Sequence, residues 1–206
     1  SGQAQMSADH VDVQRLTIKG PGELSLQGRF GIDKAASDLQ LQWHDLRWPL
    51  VATRVPPTLG GFSGSLHVTG PLDDFHYELH GSATLHKKPV KVNADGTGNP
   101  DGLRIASLGL DTDPGSLYAQ GRVDWAPVLR ADLTVRFTQF DPGLFSAGWN
   151  GALYGIVSTE TRLHDGRPEI GFMLNLAPST LRGQPLTLAA AGSTDPRGVT
   201  LQSFKL

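Results

Sequence analysis

Histidine and carboxylate side chains gather in one short stretch of the chain. His76, Glu78 and His80 alternate with Phe75, Tyr77 and Leu79, and His67 precedes them between Leu66 and Val68. Imidazole and carboxylate on one strand face form a metal-ligand set, and with a serine nearby they are the parts of a hydrolase. Spacing argues against both. On an extended strand His76 and His80 stand about 13 Å apart, too far to share an ion, so only His67 on a neighbouring strand would bring two imidazoles together. No G-x-S-x-G occurs, and nothing sets a serine, a histidine and an aspartate in a triad. A second cluster, Asn93, Asp95, Asn99 and Asp101 within NADGTGNPDG, offers the oxygen donors of a calcium loop. Arg104, however, stands where the bidentate glutamate is required. Gly96, Gly98 and Gly102 do not spell G-x-G-x-x-G, so a phosphate-binding loop is unsupported. The expectation is a solvated polar strand face at the histidines, a plain glycine-rich turn at NADGTGNPDG, no metal, no cofactor and no catalytic residue.

The elements that carry these residues are read from period two, in which successive side chains point to opposite faces of a strand. Leu24, Leu26, Phe30 and Ile32 alternate with Ser25, Gln27 and Arg29; Leu39, Leu41 and Trp43 alternate with Gln40 and Gln42. The same holds for Leu66 and Val68, for Val90 and Val92, for Leu133, Val135 and Phe137, and for Ile170, Phe172, Leu174 and Leu176. About thirteen such segments are joined by turn signals such as GPG, DTDPG and DGRP, with a further turn expected at Asp73-Asp74. Residues 33–39, the one helical candidate, are too few and too weakly periodic for a helix. Leu46, Trp48 and Leu50 shift phase after Trp43, which predicts a β-bulge near His44-Asp45. The predicted fold class is all-β: an elongated, curled, antiparallel or mixed sheet, trough-like, with an apolar interior.

Composition agrees. The 206 residues are 38% apolar and 18% charged, with net charge −2, enough for a core and too apolar for disorder. No basic cluster calls for nucleic acid, no apolar run is long enough for a spanning helix, and no signal peptide is visible. With no cysteine, disulfides and thiolate metal sites are excluded.

The chain also repeats itself. GELSLQGRF at 22–30 returns as GSLYAQGRV at 115–123. Asp38, Leu39, Leu41, Trp43 and Leu46 match Asp132, Leu133, Val135, Phe137 and Phe140; GFSGSLHV at 61–68 resembles GWNGALYG at 148–155; LHKKPVKVNADG at 85–96 matches LRGQPLTLAAAG at 181–192; and GLRIASLGL at 102–110 matches GVTLQSFKL at 198–206. Block order is preserved, the signature of a repeat architecture. The expected organisation is a tail of a preceding repeat at 1–21, a first repeat at 22–114 and a second at 115–206. The repeats are expected to be a slice of a longer array, whose open edges would leave room for edge-to-edge self-association.

A one-sided apolar sheet must bury that side. The residues expected to line it are Leu24, Leu26, Phe30, Leu39, Leu41, Trp43, Leu66, Val68, Phe75, Tyr77, Leu79, Leu117, Val123, Leu133, Val135, Phe137, Phe172 and Leu174. Gly28, Gly64, Gly70 and Gly121 interrupt this set, either as bends and bulges, the better-supported reading, or as room for a guest. Trp43 and Trp125 fall in phase with the apolar sets, as core or lining; Trp48 and Trp149 lie near turns.

LDDF at 72–75, GRVDWAP at 121–127, LRGQPL at 181–186 and DLQLQWHDLRWPL at 38–50 resemble the repeats of the TamB family, in the AsmA-like group. The resemblance runs from about Val11 onward. It implies a β-taco fold in the periplasm of a Gram-negative bacterium, with the full-length protein anchored in the inner membrane and partnered with an outer-membrane barrel, TamA, through regions outside this chain. It implies shielding of phospholipid acyl chains in transit between the two membranes. The alternative is a scaffold or chaperone-like β-module for outer-membrane protein or autotransporter assembly without lipid cargo.

Overall fold

The computed structural model describes residues 2–20, 22–32, 34–48, 59–85, 88–146, 148–164, 167–195 and 198–206. The side chains of residues 47, 48, 59, 60, 162–164, 167 and 168 lie outside the description, and with them the expectation for Trp48; so do Pro21 of GPG, Leu50, and residues 165–166 of DGRP.

Fourteen strands form among the described residues: β1 Gly2–Met6, β2 His10–Gly20, β3 Gly22–Gly31, β4 Ser37–Trp48, β5 Leu59–Gly70, β6 Phe75–Leu85, β7 Lys88–Asn99, β8 Gly102–Thr112, β9 Gly115–Asp124, β10 Arg130–Phe140, β11 Gly151–His164, β12 Arg167–Leu181, β13 Gln184–Asp195 and β14 Gly198–Lys205. One 3₁₀ turn, Pro142–Leu144, is the only helical element described. The protein is all-β, as its alternation predicts. It divides into two compact units, Ser1–Pro100 with β1 to β7 and Asp101–Leu206 with β8 to β14. In each unit the strand order is the chain order, each described pair is antiparallel, and the first and last strands do not pair with one another.

The repeated G-x-L-x-x-x-G motif has a backbone cause. Gly28 and Gly121 hold φ of 124° and 148°, and a Cβ on either would collide with the carbonyl oxygen of Asp38 or of Asp132 on the next strand. Gly22 and Gly115, at φ 126° and 115°, face a bulge in that same strand: Asp45 at φ 50° in β4 and Gln139 at φ 52° in β10. Register shifts between Trp43 and Leu46 in β4, and between Phe137 and Phe140 in β10. The phase change read at His44-Asp45 is therefore a bulge, and it occurs at the matching place in both units. Ser63 Oγ accepts the bulge amide of Asp45 at 3.0 Å.

Two expectations meet a correction. NADGTGNPDG is not one long turn: its first seven residues continue β7, and the turn is confined to Pro100-Asp101. Gly96 lies opposite Tyr77 and Gly98 opposite Phe75, so the glycines sit beside large aromatics on the neighbouring strand. Trp125 lies past the end of β9 and is 47% exposed, so it is not core. Residues 34–36 form a turn rather than a helix, as their weak periodicity predicts, with Ala35 N donating to Ile32 O at 3.1 Å before β4 begins at Ser37. The turn at Asp73-Asp74 forms as expected, with Asp74 N donating to Pro71 O at 3.1 Å.

Candidate functional site

Residues directly opposite one another on paired strands share a face. Register therefore sorts the apolar side chains into rows that run across strands. In the first unit one row is Leu16, Leu26, Leu41, Leu66, Leu79 and Ala94. Beside it run Ile18, Leu24, Trp43, Gly64, Gly81 and Val92 on one side, and Val13, Gly28, Leu39, Val68, Tyr77 and Gly96 on the other. Phe30 pairs with Val11, and Phe75 lies opposite Gly98. In the second unit the central row is Leu108, Ala119, Val135, Val157, Leu174, Ala190 and Phe204. It is flanked by Leu110, Leu117, Phe137, Gly155, Leu176 and Leu188, and by Ile105, Gly121, Leu133, Thr159, Phe172, Gly192 and Leu201. Val123 pairs with Leu103 and Ala131.

These rows are not a filled core. Of the eighteen residues expected to line the face, only Trp43 is buried, at 9% exposure; the rest are half-buried. Buried apolar residues among those described are few: Trp43, Ala83, Val90, Ala119, Phe140, Leu144, Leu176 and Ala190.

The row glycines serve their neighbours rather than opening room. A Cβ on Gly64 would meet Trp43 Cζ2 at 2.8 Å, one on Gly81 would meet Phe62 at 3.2 Å, and one on Gly192 would meet Phe172 at 3.0 Å. Each gap is thus occupied by a ring from the strand alongside. Trp43 and Phe62 lie 5.2 Å apart between ring centroids. Sequence reading missed Phe62, which is in phase with Leu66 and Val68 but is cut off from them by Gly64. Trp43 Nε1 is sealed in this packing with no partner among the described residues. Burial, with the Asp95 charge second, pushes the Tyr77 phenol above its ordinary range.

The opposite face is polar and self-satisfied. Ser25, Gln42, Ser65, His80 and Asn93 form one row. His67 lies directly across from Glu78, and bonds Asp38 at 2.8 Å through Nε2; His76 bonds Glu78 at 3.3 Å and His80 bonds Asn93 at 2.9 Å. Among the described residues no group of three histidines or acids is placed to hold a metal. A depression of about 510 Å³ on this side is lined by Asp12, Gln14, Gln27, Arg29, Asp38 and Gln40. Its groups already bond one another, Gln27 to Gln40 at 3.1 Å and Arg29 to Asp12 at 3.0 Å, and the Arg29 bond holds the Asp12 carboxyl below the usual aspartate range. Register thus sets an apolar face, partly covered, against a polar face whose described groups largely bond one another.

No curated protein and no solved structure matches the chain. The family model of the TamB N-terminal domain does, over residues 3–205, so the chain belongs to the TamB family.

Proposed function

We propose that the apolar face shields phospholipid acyl chains as they pass between the inner and outer membranes, within a translocation and assembly module in the periplasm. The observation that carries this reading is the pairing of continuity with incompleteness: the apolar rows run from strand to strand across each unit, yet most of their side chains are only partly covered. A methylene removed from water gains about 0.8 kcal/mol, so a lipid tail laid across such rows recovers what the protein leaves uncovered. Near-equivalent leucines and valines on successive strands let a tail move from one to the next with little change in free energy. No catalytic step is involved. Inner-membrane anchoring and contact with the outer-membrane barrel TamA belong to the same proposal, through regions outside this chain.

A photo-crosslinking residue at Leu41 or at Val135 tests it. Both stand in central rows, and in cells each captures phospholipid if the face is used. Capture of protein alone at both positions overturns the lipid reading and favours an assembly scaffold. Native mass spectrometry of the purified chain gives an independent readout, bound lipid being the expected result.

A further inference from the structure

Phe145 and Trp149 are 59% and 51% exposed in the loop between β10 and β11. The backbone of this loop is fastened. Asp141 Oδ1 accepts the amides of Gly143 at 2.9 Å and Gly151 at 3.0 Å, closing the loop at both ends. The 3₁₀ turn follows, with Leu144 buried to 2% as its peg. Arg182 N donates to Asn150 O at 2.7 Å, tying the loop to the hairpin between β12 and β13.

Two independent features say what this tip meets. Residues 142–151 read PGLFSAGWNG and carry no charge, and Phe145 continues an aromatic path inward: its ring is 6.0 Å from Phe140, which is 5.6 Å from Phe137 in the apolar face. Beside the tip stands Arg182, exposed, with no ion pair for its guanidinium among the described residues. Indole and phenyl rings settle at the boundary between headgroups and acyl chains, and a guanidinium binds phosphate. We propose that the loop bearing Phe145 and Trp149, with Arg182 beside it, docks the second unit on the surface of an anionic phospholipid bilayer. The apolar row of Leu117 and Phe137 is thereby brought to the acyl layer. This deepens the lipid reading of the apolar face and rests on it for its purpose, while its test reads the rim alone.

The experiment is co-flotation of the whole chain with phosphatidylcholine vesicles, with and without phosphatidylglycerol. The wild type floats with both, and more with the anionic ones. The double variant Phe145→Ser/Trp149→Ser loses about tenfold or more in partition to either. Arg182→Gln loses about fivefold on anionic vesicles and nothing on neutral ones. These side chains are exposed, so the far-UV circular dichroism of each variant matches wild type; Trp149→Phe, which keeps an apolar ring, retains flotation but loses the part of the fluorescence quenched by brominated acyl chains. A wild type that stays soluble with both vesicles, or a double variant that floats like wild type, overturns the proposal. Native mass spectrometry separates the two readings: a double variant that no longer floats yet still carries bound lipid leaves the apolar-face reading standing. A wild type that floats but carries none sinks that reading and spares this one.

Discussion

Gly28 and Gly121 show why one heptapeptide pattern is written twice. Each sits where the backbone of one strand presses on a carbonyl of the next at a φ that side chains rarely adopt. Alanine at Gly28 carries both penalties at once, an unfavourable φ and a Cβ overlapping Asp38 O, and is expected to cost about 2–3 kcal/mol. Gly121→Ala should behave alike, because Asp132 O occupies the same position against it. Gly20→Ala is the control: nothing lies within 4 Å of its would-be Cβ, so its effect should fall within about 0.5 kcal/mol. Urea unfolding of the three variants reads the contrast directly. Equal losses at Gly20 and Gly28 would mean that glycine content in general, rather than this contact, holds the motif.

At the scale of elements the two units share the bulge of β4 and β10 but differ at one strand end. In the first unit β4 and β5 pair residue for residue from Ser37 to Trp43. In the second, β10 and β11 part beyond Leu133, and threonine hydroxyls span the gap. Thr161 Oγ1 accepts Ala131 N at 2.7 Å and donates to Ala131 O at 3.1 Å, while Thr159 Oγ1 accepts Leu133 N at 3.2 Å. Thr161→Val keeps the shape and strands the Ala131 amide, at an expected cost of about 1–2 kcal/mol, with faster hydrogen exchange at Ala131; Thr161→Ser restores both. Unchanged exchange at Ala131 in the valine variant would show that water already fills this role.

Such side-chain bridges are invisible in a period-two pattern, which reports only which face a residue takes. The alternation did reveal the strands, the bulge at Asp45, the turn at Asp73-Asp74 and the pairing of His67 with the strand of Glu78, because each follows from local spacing. It did not reveal β7 running through Gly96 and Gly98, where turn-forming residues are held in a strand opposite Phe75 and Tyr77. Nor did it reveal Phe62, separated from Leu66 and Val68 by Gly64, or the exposure of Trp125, whose phase outlives its strand by one residue. Tertiary pairing decided all three.

For the molecule as a whole, the question is how much of its stability the apolar face supplies when nothing covers it. Leu174 stands half-buried in the central row of the second unit, whereas Leu144 is buried to 2% under the loop after β10. A buried leucine cut to alanine costs about 3–5 kcal/mol through lost transfer energy and a residual cavity. Leu144→Ala should fall in that range. Leu174→Ala loses only the covered part of its surface and leaves no sealed cavity, so about 1 kcal/mol is expected. A single-chain lipid below its micelle concentration changes the comparison if it binds the face. At a hundred times its dissociation constant it adds about 2.7 kcal/mol to wild-type stability. It adds less to Leu174→Ala, which has lost part of the contact, and the full amount to Leu144→Ala, which has not. Thermal unfolding of the three proteins with and without the lipid measures this. An equal shift in all three would place the lipid elsewhere, and a cost for Leu174→Ala as large as that for Leu144→Ala would mean the face is already covered by the protein itself.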